Sequence, residues 1–129
     1  MIDLQELIRQ ARTARERARA PYSGYPVGAA VLTAGGSIHL GCNVESGAFS
    51  TTICAERVAI FAALAAGEHT FQALAVVSRD GATPCGACRQ VIHEQCGEIP
   101  IHVVGDEDTS SAQFTTSQLL PNPFDFEQT

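Results

Sequence analysis

The segment CAERVAIFAALAAG, residues 54 to 67, does most to restrict the fold. It is rich in alanine, and beyond Arg57 it is apolar on every side, with Val58, Ile60, Phe61, Ala62 and Leu64 spread around the helical wheel. A helix with no wet face is predicted to be buried. Thr51 or Thr52 is placed to cap its start, and Gly67 to end it.

The apolar runs around it supply a sheet. FQALAVVS (71 to 78) is too continuously apolar for a strand with one wet face, which predicts a central strand, and IPIHVV (99 to 104) reads as a second buried one. GAAVLTA and SIHLGC flank Gly35-Gly36, a hairpin signal. Leu4, Leu7, Ile8, Ala11, Ala14 and Ala18 recur at helical spacing, predicting a helix from residue 3 to about 18 ended by Pro21, and GACRQVIHEQC (86 to 96) forms a further short helix. Residues 106 to 115 read as a polar tail before LLPNPFDFEQT. The order α-β-β-α-β-α-β implies a mixed sheet with helices on both faces. At 129 residues and 45% hydrophobic, with no repeat or linker, the chain is expected to be a single domain spanning 1–129. Its small size leaves much surface to cover by self-association.

Charge narrows the partners. The net charge is −6, lysine is absent, and five of the eight arginines (Arg9, Arg12, Arg15, Arg17, Arg19) crowd into RQARTARERAR, residues 9 to 19. That cluster reads as a nucleic-acid patch or as the solvated face of an amphipathic helix. Neutralising a polyanion takes a broader basic surface, so a small neutral substrate is expected and nucleic acid is not. No secretory pattern opens the chain and no apolar stretch approaches eighteen residues, which predicts a soluble, cytoplasmic protein with no membrane partner.

Five cysteines cannot all pair within one chain, and a disulfide framework does not suit a cytoplasmic protein. Taken alone, Cys85-Gly-Ala-Cys88 suits a redox pair as well as a metal. A second element, TICAER, separates the two readings: it places Cys54 thirty-one residues earlier at another helix start, with Glu56 two positions on. Helix N-termini favour ionised thiolates, so three converging from two helices make a coherent zinc site. Either three ligands leave a position open, or Cys42 or Cys96 closes a four-thiolate structural site. Glu56 favours the open site, because a carboxylate beside it is what general acid/base work on activated water requires. Three thiolates and Zn²⁺ sum to −1, and Arg57 and Arg89, each beside a predicted ligand, read as donors to the sulfurs or as plain surface arginines.

CAE (54 to 56) followed by PCGACRQ (84 to 90) resembles the zinc signature of the cytidine deaminase family. The likeness extends to PYSGYPVGAAVL (21 to 32), GCNVE (41 to 45) and LLPNPF (119 to 124), and so covers nearly the whole chain. It implies a three-layer α/β/α sandwich with a mixed five-stranded sheet, in which Cys54, Cys85 and Cys88 bind Zn²⁺ to activate water for attack at C4 of a cytosine ring, with Glu56 moving the protons. It further implies that the Ala55 N–H meets the pyrimidine carbonyl, that the Thr83 carbonyl lies near the departing amine, and that Asn43 and Glu45 bind the sugar. Tyr25 stands where the family usually has phenylalanine, and reads as stacking on the base or as core packing. Phe124 matches an aromatic that reaches a neighbouring subunit's site, implying a homotetramer with shared active sites. His39, His69, His93 and His102 have no ligand-like spacing and read as bystanders.

The departure lies between Glu45 and Cys54, where the family reads close to N-A-S-Y-P and this chain has SGAFS (46 to 50), so Phe49 lacks a hydroxyl that the family offers near the sugar and the subunit contact. The expected reaction is deamination of cytidine and 2′-deoxycytidine in pyrimidine salvage. The alternatives are another aminated pyrimidine or a blasticidin-type nucleoside, and, from a different class, a non-catalytic zinc-stabilised binding module. A deaminase of tRNA or single-stranded DNA usually carries histidine as first ligand and a basic channel.

Overall fold

In the computed structural model, which describes residues 3–126, the hairpin and the two apolar runs join one mixed sheet. Strands β1 (Gly28–Thr33) and β2 (Ile38–Cys42) pair antiparallel around a turn in which Gly36 takes a φ of 98°, a left-handed conformation that glycine adopts without a Cβ clash. β1 pairs antiparallel with β3 (Phe71–Val77) on its other side, β3 runs parallel to β4 (Pro100–Val104), and β4 pairs antiparallel with β5 (Ala112–Thr115). The order is β2-β1-β3-β4-β5, so β3 is central, as its unbroken apolar run predicts. β5 corrects the reading of 106 to 115 as a polar tail. It is a four-residue edge strand with no fully buried residue; Ala112 and Phe114 alternate with Gln113 and Thr115, and Phe114 packs on the core, but the run is short and follows a polar, acidic stretch.

Strand alternation decides which helix covers which face. Ala30, Leu32, Ala73, Ala75 and Val77 point to one side and pack on Leu7 and Ala11 of α1 (Leu4–Arg15). Ala29, Val31, Leu74, Val76, Ile101 and Val103 point to the other, against α2 (Ala55–Ala65) and α3 (Gly86–Cys96). The result is the three-layer α/β/α sandwich, with a short α4 (Thr116–Leu119) following β5. Two glycines allow the layers to touch backbone to backbone. A Cβ at Gly28 would lie 2.1 Å from the Ala11 carbonyl oxygen of α1, and one at Gly41 would lie 2.3 Å from the Ala55 carbonyl oxygen of α2.

Three expectations change. α1 is capped by Asp3, whose carboxylate accepts from the Glu6 N–H at 2.8 Å, but it stops at Arg15 rather than near 18. The Arg19 N–H donates to the Asn43 carbonyl (2.9 Å) and the Glu45 N–H to the Arg19 carbonyl (2.8 Å), so the chain beyond α1 is drawn out straight beside residues 43 to 45. Neither Thr51 nor Thr52 caps α2. The Thr51 hydroxyl donates to the Ala48 carbonyl (2.8 Å), the Thr52 hydroxyl accepts from the Ser46 N–H (3.0 Å), and Cys54 holds the cap position. Nor is α2 buried all round. Ala55, Ala59, Ile60 and Ala63 are buried, but Phe61 is 41% exposed and Ala62 and Ala65 face outward, because an outer layer has an outer face.

On α1, Arg9 pairs with Glu6, and Arg15 reaches Asp106 at 3.0 Å. Among the described residues no helix is long and apolar enough to cross a membrane.

Candidate active site and metal centre

Both α2 and α3 begin at a cysteine. Cys54 and Cys85 occupy the two N-cap positions in extended conformation, and neither side chain makes a cap hydrogen bond, so both sulfurs are available to a neighbour. They lie 3.8 Å apart, and Cys88, fully buried one turn into α3, brings the group to three sulfurs within 4.8 Å of one another. A disulfide needs about 2.05 Å. Tetrahedral zinc with bonds of about 2.3 Å sets sulfurs roughly 3.8 Å apart, so the donor set fits zinc. Cys42 and Cys96 stand outside the group. Cys96 packs against the core, where burial pushes its thiol up to about 12, and Cys42 lines a shallow depression with Ala14, Arg17 and Val58. A fourth thiolate is therefore not at hand, and three ligands leave one position open.

The charges are graded. Cys54 is held down to about 5, first by the neighbouring Cys88 thiol and next by Arg57, whose Nη2 donates to Cys54 Sγ at 3.3 Å. Cys88 is raised by the neighbouring Cys54 and by burial, so a thiolate at one of the two opposes ionisation of the other. Arg57 Nε is buried with no hydrogen-bond partner among the described residues. A donor left unpaired beside sulfur suits a cluster more negative than three thiols, as a metal-bound thiolate set is.

Arg89 does something else. Its Nε donates to the Pro84 carbonyl (2.7 Å), Nη1 to the Leu119 carbonyl (2.8 Å) and Nη2 to the Thr83 hydroxyl (2.9 Å). It is neither a sulfur donor nor an idle surface arginine, for it ties the peptide leading into Cys85 to the end of α4.

Glu56 lies in the first turn of α2 and is 5% exposed. Its carboxyl is pushed up to about 7, chiefly by burial, with the negative Cys54 adding to the effect. A carboxyl so placed can take up and release a proton near neutral pH.

Glu56, Ala55, Cys54 and Cys85 form the floor of a cavity of about 420 Å³, whose walls include Tyr25, Asn43, Glu45 and Thr83. Asn43 braces one wall, its Oδ1 accepting from the Val27 N–H and its Nδ2 donating to the Tyr25 carbonyl, each at 2.9 Å. Glu45 accepts from the N–H groups of Tyr22 (2.9 Å) and Ser23 (3.1 Å) and from the Ser23 hydroxyl, which holds its carboxyl below the usual range. The Tyr25 hydroxyl donates to Asp80, and Arg79 lies 4.8 Å from the centre of the Tyr25 ring. Nothing local in the sequence singles out Ser23 or Asp80. Each lies in a stretch that reads as loop or turn, with a partner distant in the chain.

Phe124 is not among the residues lining this cavity. It is 65% exposed, and its carbonyl accepts from Gln90 at 2.7 Å. Phe49 is 73% exposed outside the cavity, edge-on to Tyr22 with ring centres 5.7 Å apart. Of the histidines, His93 meets Asp125 at 2.6 Å and His39 meets the Ser37 hydroxyl at 3.3 Å, away from the thiols. A larger surface groove of about 540 Å³, beside α1 and lined by Arg9, Arg12 and His102, holds none of the clustered cysteines.

Comparison with known proteins agrees with this chemistry. The family model for the cytidine and deoxycytidylate deaminase zinc-binding region matches residues 1–104. Cytidine deaminases of Sporosarcina psychrophila and Halalkalibacterium halodurans are 46% and 42% identical, with 95% of this chain and 92% and 95% of theirs covered. The crystal structure of cytidine deaminase from Burkholderia pseudomallei superposes with a TM-score of 0.91 at 40% identity, covering 95% of this chain and 100% of that one. The enzyme from Mycobacterium tuberculosis gives 0.82 at 35%, covering 98% and 100%. A match over most of the chain, the shared sandwich and three thiols spaced for zinc lead to one conclusion: the chain belongs to the zinc-dependent cytidine deaminase family.

Proposed function

We propose that the chain is a single catalytic domain, residues 1–129, which hydrolyses cytidine and 2′-deoxycytidine to the corresponding uridines and ammonia, as a step of pyrimidine salvage in the cytoplasm. The observation that carries this reading is the buried Glu56 carboxyl on the floor of a cavity of small-molecule size, beside Cys54 and Cys85. Cys54, Cys85 and Cys88 would hold the zinc ion, which when bound supplies Lewis-acid activation of water at neutral pH. Glu56 accepts a proton from the attacking water, delivers one to ring N3, and helps the 4-amino group leave as ammonia. Water thus adds at C4, the C4–N bond breaks, and the uracil carbonyl remains.

The other residues bind and orient. The Ala55 N–H, at the positive end of α2, donates to the pyrimidine carbonyl, and the Thr83 carbonyl accepts from the departing amine. Asn43 keeps one amide hydrogen and one lone pair beyond its bonds to Tyr25 and Val27, and Glu45 keeps lone pairs beyond its three bonds, which together suit sugar hydroxyls. The Glu45 charge repels a phosphate and so selects nucleosides over nucleotides. Tyr25 bounds the base. The outward apolar face of α2 and the position of Phe124 outside its own chain's cavity support a homotetramer in which Phe124 enters a neighbour's site.

The test is the ultraviolet change when zinc-loaded protein meets cytidine, with uridine identified as product. Turnover is expected. Folded, zinc-bound protein that leaves cytidine untouched would overturn the substrate assignment. SGAFS, with the exposed Phe49, would then direct the search to a free base or a blasticidin-type nucleoside.

A further inference from the structure

Two loops face each other across the mouth of the cavity. One is residues 21–27. The other is residues 78–84, which run from the end of β3 to Cys85. Three contacts join them: the Tyr25 hydroxyl donates to Asp80, the Arg79 guanidinium covers the Tyr25 ring, and Arg79 Nη1 donates to the Gly24 carbonyl at 3.2 Å.

The second loop is braced elsewhere along its length. The Ser78 hydroxyl accepts from the Ala82 N–H at 3.1 Å and reaches Asp80 Oδ1 at 3.5 Å. Gly81, at a φ of +70°, lies so close to the 105–110 segment that a Cβ there would stand 2.1 Å from the Ser110 carbonyl oxygen. Arg89 fixes Thr83 and Pro84 at the far end. Residues 78–84 are therefore one stiff wall, while residues 21–27 are mostly exposed and tied down by Glu45, Asn43 and the Tyr25 hydroxyl. A phenylalanine at 25 would offer the same ring with no hydroxyl to reach Asp80.

We infer that Tyr25 and Asp80 are positioning residues: their hydrogen bond latches the substrate loop to the wall that carries Thr83 and fixes the width at which the cavity receives the base. The inference rests on the deaminase reading above. A latch formed before substrate arrives orders both walls in advance, which helps ground state and transition state alike. Its loss therefore appears in KM and leaves kcat nearly unchanged.

The experiment compares Tyr25→Phe, Asp80→Ala, Asp80→Asn and the Tyr25→Phe/Asp80→Ala pair in the zinc-loaded enzyme, reading cytidine kinetics and backbone amide exchange over residues 21–27 and 78–83. Tyr25→Phe and Asp80→Ala each raise KM about five- to tenfold with kcat within about twofold, as loss of one solvent-exposed hydrogen bond predicts. The paired variant loses no more than either alone, because both remove the same bond. Asp80→Asn, which keeps an acceptor oxygen, recovers most of the KM. Amides in both loops exchange faster in Tyr25→Phe. Additive losses in the paired variant, a fall in kcat with KM unchanged, or a Tyr25→Phe variant equal to the parent would each overturn the latch. If no variant, the parent included, turns over cytidine, the substrate reading fails and exchange alone decides the latch: unchanged protection in both loops of Tyr25→Phe overturns it, and faster exchange upholds it.

Discussion

On the floor of the cavity, Glu56 is buried in the first turn of α2 and Cys85 caps α3, two helices packed on the sheet, whereas at the rim Tyr25 and Glu45 sit on loops held by side-chain hydrogen bonds. The floor takes its position from the core: Gly41 brings β2 against the first turns of α2, and Ile92 of α3 is fully buried in the same cluster as Ile60 of α2. The rim takes its position from a few polar contacts between segments distant in sequence, such as Glu45 on Ser23 and Tyr25 on Asp80. Reacting groups demand the rigidity of packed elements, and recognition tolerates the softer anchoring of loops. Damage to the floor should therefore be severe, and damage to the rim graded.

The sharpest test of the floor is Glu56→Gln, which keeps shape and removes the carboxyl proposed to carry the protons. kcat should fall by about 10²- to 10⁴-fold, with zinc content and melting temperature unchanged. Steady-state kinetics with metal analysis reads both, and turnover within tenfold of the parent would remove Glu56 from the proton path. Next is Arg57→Gln, which takes a cation from Cys54. Zinc affinity should drop about 10- to 100-fold in competition with a chelator, and an unchanged affinity would mean that the 3.3 Å contact contributes nothing to the metal site.

The role of packing is tested at two glycines. Gly41→Ala forces a Cβ to within 2.3 Å of the Ala55 carbonyl oxygen, so it should cost about 1–3 kcal/mol in stability and, by shifting the start of α2, weaken zinc binding too. Gly86→Ala meets nothing within 4 Å and should stay within about 0.5 kcal/mol of the parent. Denaturant melts of the two variants compare them directly. Equal losses would mean that α2 is not seated by that contact.

The same division governs how much the sequence discloses. The span of α3, the central place of β3 and the three clustered cysteines were all legible, because periodicity, apolar continuity and spacing are local signals. Local signals misled where a distant segment intervened. The helical spacing through Ala18 is overridden by the backbone bonds of Arg19 to residues 43 to 45, and two threonines suited to capping α2 are engaged by Ala48 and Ser46. β5, at the sheet edge beside β4, left only Ala112 and Phe114 as an apolar alternation, too short to stand out from the polar stretch before it. The outer face of α2 is a different case. The sequence is apolar there, and a single chain leaves Phe61 partly exposed, so the pattern describes a surface that this chain alone does not cover. At the rim, Asp80 meets a partner fifty-five residues away, a relation with no periodic signature.

The smallest effect is expected at the segment that departs most from the family. Phe49 is exposed, stands outside the cavity lining, and touches Tyr22 by its ring edge. Phe49→Tyr adds a hydroxyl to a ring that already faces water, so stability should move by less than about 0.5 kcal/mol and KM for cytidine by less than about threefold. Kinetics and gel filtration together assign the outcome. A tenfold fall in KM with the assembly unchanged would show that the rim around 46–50 reaches the substrate, which would erase the division between a catalytic floor and a soft rim on that side. A change in oligomer size would instead place Phe49 at a contact between copies, where the added hydroxyl acts on assembly before it acts on binding.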